Sequence, residues 1–287
     1  MKVTPAPMTE EEYQLLNELL RETFGLDFPP HKREILESRL RPRLVELSLR
    51  SYYDYYVQAR FGGGAERAEL ATAVTNNETY FFRETAPIEA LFAEALGELL
   101  EGSSTPKQLA LLSVGCSSGE EPYTLGIYAK ENQYRMWGAT TRIDAFDLDP
   151  TRIAVARSAI YPASSLRVLD EAQLEKYFSA STTAGRPLKP AYRTGVSFSV
   201  GNLVDLDTYP SRGPYDALFC RNVLIYFDEA SLRRAIATFA RVLRPAGLLF
   251  LGHSESIIGM TRAFEAVPLG EGIVYRRTTA PPSEGIG

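Results

Sequence analysis

The stretch Ser113 to Thr124, SVGCSSGEEPYT, limits what the chain can fold into more than any other. It follows the apolar run Leu109 to Leu112 and leads into LGIYAKEN, so it reads as a strand, a glycine-rich turn and a helix N-terminus. Gly115 and Gly119 let the backbone approach a ligand closely, and the first N–H groups of the new helix face whatever lies there. Glu120 and Glu121 put negative charge beside those donors, which disfavours a pyrophosphate and favours a ligand with hydroxyls or a positive centre. A dinucleotide fingerprint would read G-x-G-x-x-G with an acidic residue about 20 positions on. Here the turn is G-x-x-x-G and Asp147 follows Gly115 by 32 positions. A nicotinamide cofactor is disfavoured; adenosine without phosphates, beside carboxylates that tolerate a cation, fits S-adenosylmethionine better.

The pattern differs on the two sides of this stretch. Residues 1–85 read as an all-α domain. Thr9 and Glu12 form a capping box for a helix ending near Gly25, and a second helix spans about 31–47 with Leu36, Leu40, Leu44 and Leu47 as its apolar stripe and a kink expected at Pro42. A third helix starts at Ser51, and a fourth spans about 65–74. An amphipathic helix over 88–100 and the polar linker EGSSTPKQ lead to alternating strands and helices, the signature of a parallel sheet. Strands are expected at 109–114, 142–147, 196–200, 215–220 and 247–252, with a final antiparallel pair near 264–267 and 272–276. The α/β domain is assigned to 86–280. Within it, 161–195 reads as a small inserted β subdomain, and 281–287 as a disordered tail.

Ligands of an open parallel sheet sit outside the carboxyl ends of its strands. The second strand ends at Asp147, a carboxylate able to accept both hydroxyl protons of a ribose. The third ends at Asn202 and Leu203, offering an amide and neighbouring backbone to an adenine edge; the fourth runs into Arg221, Asn222 and Tyr226, and the fifth into LGHSES. Structural alternatives exist for several of these: Asp149 can cap the following helix, Asn202 can be a turn residue, and His253 a satisfied structural histidine.

Composition narrows the function further. The net charge of -5 argues against a general nucleic-acid binder. With two cysteines, no C-x-x-C pair and two histidines, neither a disulfide framework nor a metal site is expected. No apolar run reaches the roughly 18 residues of a membrane span, and the N-terminus has no signal-peptide core, so a cytoplasmic protein is expected; a monomer is expected as well.

NETYFFRE, GCSSGEEPYTL, FDLDPTRIAVARSAIY, FCRNVLIYFD and LRPAGLLFLGHSES together resemble the chemotaxis receptor methyltransferases. That resemblance implies a Rossmann-like seven-stranded S-adenosylmethionine domain with a helical N-terminal domain and a small β insert. It implies methyl transfer to glutamates in the cytoplasmic helical region of chemoreceptors, leaving S-adenosylhomocysteine. Carried over by motif, Asn77, Thr79 and Arg83 would line the cofactor and substrate cleft. Glu121, or its neighbour Glu120, would bind the amino-acid end of the cofactor; Gly115 would form the turn, Asp147 the ribose ligand, Asn202 and Leu203 the adenine neighbours, and Arg221 and Asn222 further contacts. Arg83 and Tyr226 would flank the transferred methyl group. Ala246 stands where the family's LRPAG segment commonly has a second glycine, and Pro42 is unusual.

Two surfaces extend the reading toward the substrate. Segment 31–60 holds seven cations against four acids, and Lys32, Arg39, Arg43 and Arg50 share a spacing that places them on one helix face. With an acidic receptor helix bundle as the implied substrate, Lys32, Arg39 and Arg43 are expected to steer it. The stretch from Phe178 to Val196 is short for gripping a receptor C-terminal peptide, so independence from such a tether is expected.

Overall fold

The computed structural model describes residues 4–101 and 107–279; the expected tail and the middle of the expected linker lie outside the described residues. The N-terminal domain consists of α1 (Glu10–Phe24), α2 (Arg33–Glu46), α3 (Tyr52–Phe61) and α4 (Gly64–Val74). The Thr9–Glu12 capping box opens α1, and Gly25, left-handed at φ 77°, ends it. Leu36, Leu40 and Leu44 are fully buried against Leu16, Leu20, Tyr52 and Tyr55, so the stripe read from the sequence faces the domain core. The helix runs through Pro42 without ending.

The segment after α4 carries NETYFFRE and ties the parts together. Phe81 is fully buried edge-on against Tyr161 and Phe178, whereas Phe82 stacks on Tyr177. Helices α5 (Ala86–Ala90) and α6 (Leu96–Glu101) flank a π-helical turn at Leu91–Ala95. Then follow β1 (Gln108–Val114), α7 (Glu120–Glu131), β2 (Thr140–Asp147) and α8 (Pro150–Ser158). The insert holds β3 (Ile160–Tyr161), α9 (Glu171–Tyr177) and β4 (Arg186–Pro187), so its β content is an antiparallel pair of two-residue strands with antiparallel bridges at Phe178–Leu188 and Thr182–Gly185. β5 (Val196–Val200), β6 (Tyr215–Cys220), α10 (Glu229–Val242), β7 (Leu243–Leu251), β8 (Phe264–Leu269) and β9 (Gly272–Arg277) complete the domain.

The seven-stranded sheet has the order β5-β2-β1-β6-β7-β9-β8. It is parallel from β5 to β7, and β9 and β8 return antiparallel. The chain moves outward from β1 to β2 and β5, then crosses to β6 on the other side of β1. The carboxyl ends of β1 and β6 therefore frame the switch point at which such sheets bind ligands. β7 begins at Leu243, earlier than the expected 247, and its register against β6 shifts between Tyr215 and Ala217. Ala246 is left-handed there, with φ 63°. A Cβ is strained in that region, which gives the family's glycine a physical reason. Ala246→Gly is expected to raise stability by about 0.5–1 kcal/mol, read as a higher urea midpoint at unchanged slope; a lower midpoint would show that the alanine is not strained.

The helical domain is seated on the carboxyl edge of the sheet. Asn202 Nδ2 donates to Thr23 O at 2.7 Å, Thr72 Oγ1 to Asp149 at 2.8 Å and the Asp27 N–H to Tyr226 O at 2.8 Å. A cleft remains between the two domains, over the switch point.

Candidate active site

A cavity of about 310 Å³ fills this cleft. Asn77, Thr79, Arg83, Gly115, Glu121, Asp147, Asn202, Leu203, Arg221, Asn222 and Tyr226 all line it, as do Lys32 and Arg39 from the helical domain. Arg43 does not. Its guanidinium makes a forked pair with Glu66 on α4 (Nε 3.0 Å, Nη2 2.6 Å) and meets Glu46 at 2.8 Å, and the Glu66 side chain is only 5% exposed. Burial beside a carboxylate makes Arg43 an internal strut, which corrects the expectation that it faces a substrate.

The glycine turn is held by the strand beside it. Asp147 Oδ2 accepts from the Ser117 N–H at 2.7 Å, and Oδ1 from the Asp149 N–H at 2.8 Å. Burial outweighs these two bonds and pushes the Asp147 carboxyl up to about 6. Asp149 caps α8 through Thr151 and accepts from Asn77 Nδ2 at 3.0 Å. Asn77 is thus both wall and fastener.

The two glutamates after Gly119 part company. Glu120 is 1% exposed, accepts from Ser118 and Ser165 hydroxyls, and has its carboxyl raised by burial. It ties the turn to the insert, and Glu121 is left as the carboxylate on the cavity wall. Ser113 Oγ donates to Glu121 at 2.8 Å, and Arg221 Nη1 pairs with it at 3.2 Å. Arg221, its side chain 4% exposed, also reaches Glu84 and the carbonyls of residues 83 and 84. It joins β6, α7 and the NETYFFRE segment.

Arg83 and Tyr226 reach the cavity from segments far apart in the chain. Arg83 Nη1 donates to Glu78 O at 2.9 Å, and Tyr226 OH accepts from Asn76 Nδ2 at 2.7 Å. Lys32 Nζ lies 5.9 Å from the Tyr226 ring centre, and Arg39 donates to Val74 O and rests over Phe28. Left-handed, non-glycine backbone gathers around the cavity at Phe82, Glu84, Ser117 and Asn222, where structures commonly store strain for function. Asn202 has its amide engaged at both ends, by Thr23 O and the Val204 N–H, so it serves as an interdomain strut as well as a wall. His253 differs from the expected satisfied histidine: its side chain is 70% exposed and contacts Glu84 at 2.9 Å.

Glu84 escaped the sequence reading although it sits inside the recognised motif. Its partner Arg221 lies 137 positions away, and no local pattern links them.

Two carboxylates on the cavity wall, Glu121 and Asp147, suit a nucleoside bearing a cationic amino-acid tail. Among the described residues no group of side chains could hold a metal ion. Sheet order, glycine turn and donor set define a methyltransferase dependent on S-adenosylmethionine. Comparison with known proteins agrees: residues 77–273 match "CheR methyltransferase, SAM binding domain" and residues 11–75 match "CheR methyltransferase, all-alpha domain". Chemotaxis protein methyltransferase 2 of Vibrio cholerae is 34% identical over 90% of this chain and 89% of its own length. Chemotaxis protein methyltransferase 1 of Pseudomonas aeruginosa is 33% identical over 92% and 97%. The chain belongs to the CheR methyltransferase family. Among solved structures, the N-methyltransferase NodS of Bradyrhizobium japonicum in complex with S-adenosyl-L-homocysteine aligns at TM-score 0.39 and 16% identity, over 74% of this chain and 97% of that one, a likeness too slight to bear on the site. Among the described residues no helix is long and apolar enough to cross a membrane.

Proposed function

We propose that the chain methylates glutamate side chains of chemoreceptors, forming methyl esters. The observation that carries this reading is the cavity wall itself: Arg83 and Tyr226 line it with Glu121 and Asp147, and among the described residues no histidine does. A glutamate with an ordinary pKa of about 4.3 is already ionised at neutral pH and needs no general base. What in-line attack requires is alignment and exclusion of water, and orientation alone can supply about 7–11 kcal/mol.

S-adenosylmethionine supplies the activated methyl on a sulfonium. In this reading Glu121, oriented by Ser113 and Arg221, accepts from the ammonium of its amino-acid end, and Asp147 accepts from the ribose hydroxyls. Asn77, Thr79 and Asn222 complete the cleft, with Asn202 and Leu203 beside the adenine. Arg83 holds and turns the substrate carboxylate, while Tyr226 packs beside the reacting methyl and keeps water out. Lys32 and Arg39 have no carboxylate partner among the described residues, which suits an anionic receptor helix. The compact insert supports action without a receptor tether, which tailed and tail-less receptors should show by equal rates.

Lys32→Glu with Arg39→Glu is expected to slow receptor methylation about tenfold at low salt and much less at high salt; an unchanged low-salt rate would remove the steering role. Peptide mapping of a receptor cytoplasmic fragment after reaction should place methyl groups on glutamate carboxylates. Methyl found only on nitrogen would overturn the proposal.

A further inference from the structure

Glu255 lies outside the cavity, yet its carboxylate takes four backbone N–H groups. Oε2 accepts from Gly252 at 2.7 Å and from Asn222 at 2.9 Å; Oε1 accepts from Val223 at 2.8 Å and from Leu224 at 2.7 Å. Oε2 is thereby shared between the ends of two neighbouring strands, β6 and β7, while Oε1 takes two donors from the loop after β6. The donors on the β6 side open the short 3-10 turn Leu224–Tyr226, whose first N–H groups have no partner within the turn. Charge-assisted bonds of this kind are the strong ones.

The surroundings are built to this carboxylate. A Cβ on Gly252 would lie 2.8 Å from Glu255 Oε2 and 2.9 Å from the Asn222 nitrogen, so only glycine fits beside the clamp. Asn222 is left-handed at φ 61°, a conformation that aims successive N–H groups inward at one acceptor. On the opposite side, a Cβ on Gly115 would come within 2.5 Å of Val223 Cγ2, so the clamped loop is pressed against the glycine turn. The loop ends at Tyr226, whose carbonyl accepts the Asp27 N–H and whose hydroxyl accepts from Asn76. One loop thus faces the glycine turn, the helical domain and the cleft.

We infer that Glu255 is a positioning residue for methyl transfer: it fixes the 222–226 loop and, through it, the place of Tyr226 in the cleft. The inference rests on the reading of Tyr226 beside the transferred methyl. A misplacement of about 1 Å at such a site costs on the order of 10²-fold in rate. Glu255→Gln keeps the size of the side chain but turns one acceptor oxygen into a donor facing two N–H groups. It should lower kcat about 30-fold, leaving S-adenosylmethionine affinity within about fivefold. Amide exchange in the peptide spanning 220–227 should quicken in the variant.

The decisive experiment is a double-mutant cycle on kcat, with each protein assayed below its own unfolding midpoint. If Glu255 acts through Tyr226, Glu255→Gln loses most of its effect in a Tyr226→Ala background. Equal effects in both backgrounds would mean a merely structural carboxylate and overturn the inference, as would a Glu255→Gln protein with wild-type kcat. Tyr226→Ala with unchanged kcat would instead remove the role of Tyr226 and the inference with it. Should Glu255→Gln not fold, Glu255→Asp, which retains both acceptors on a shorter stem, enters the same cycle with the same outcomes.

Discussion

Arg83→Ala is expected to reduce turnover on receptor fragments by about 10²- to 10³-fold while changing S-adenosylmethionine affinity by less than about threefold. Arg83 presents a planar fork that can hold one carboxylate in one orientation; its own anchorage is a bond to Glu78 O and a long ion pair with Glu84 at 4.0 Å, with Tyr80 beneath it. A truncated side chain leaves a substrate glutamate free to rotate, so alignment is lost while the cofactor's own contacts remain. Arg83→Lys keeps the charge without the fork and should fall between. Calorimetry and steady-state rates on the same preparations separate the two quantities. A collapse of cofactor binding, with turnover preserved at saturation, would give Arg83 a cofactor role instead.

Asp147 yields the second large effect and a pH signature. Under the proposed ribose role, Asp147→Ala removes two acceptors from the hydroxyls, and it orphans the Ser117 and Asp149 N–H groups; a loss of about 3 kcal/mol corresponds to roughly 10²-fold weaker cofactor binding. In the intact protein, burial raises this carboxyl from an ordinary 3.8 to about 6. Only the ionised form accepts from both hydroxyls, so affinity should be full above pH 6 and fall as pH drops through it. Folding stability responds with the opposite sign. The native state binds this proton more tightly than the unfolded chain, so this group's contribution to cofactor-free stability grows as pH falls from 6 toward 3.8. Titration calorimetry between pH 5 and 8 and urea unfolding of the free protein test the two arms. Affinity that stays flat across that range would show that Asp147 does not hold the ribose.

Much of this site is legible in the sequence. Strand ends in a parallel sheet must converge, so Gly115, Asp147, Asn202 and Arg221 could be placed together from the pattern alone. The capping signatures at Thr9 and Ser51 and the Leu36, Leu40, Leu44 stripe are local, and local rules found them. What escaped was decided by partners far away in the chain. Helical spacing puts Arg39 and Arg43 on one face but cannot say that Glu66, on another helix, draws Arg43 inward. Glu120 and Glu121 are neighbours in sequence with similar local environments; Ser165 of the insert and Arg221, just past β6, separate their roles. Glu255 lies inside the LGHSES motif, yet nothing local assigns it a role, since three of its four donors come from a loop more than 30 positions earlier.

The methyl ester itself is the point on which everything rests. The protein should be incubated with S-adenosylmethionine labelled in its methyl group and a chemoreceptor cytoplasmic fragment, and the protein-bound label then exposed to mild alkali. Glutamate methylation predicts label on the fragment that alkali releases as methanol, and none on a fragment whose acceptor glutamates are replaced by alanine. Label that survives alkali, or that appears equally on the alanine fragment, would contradict it.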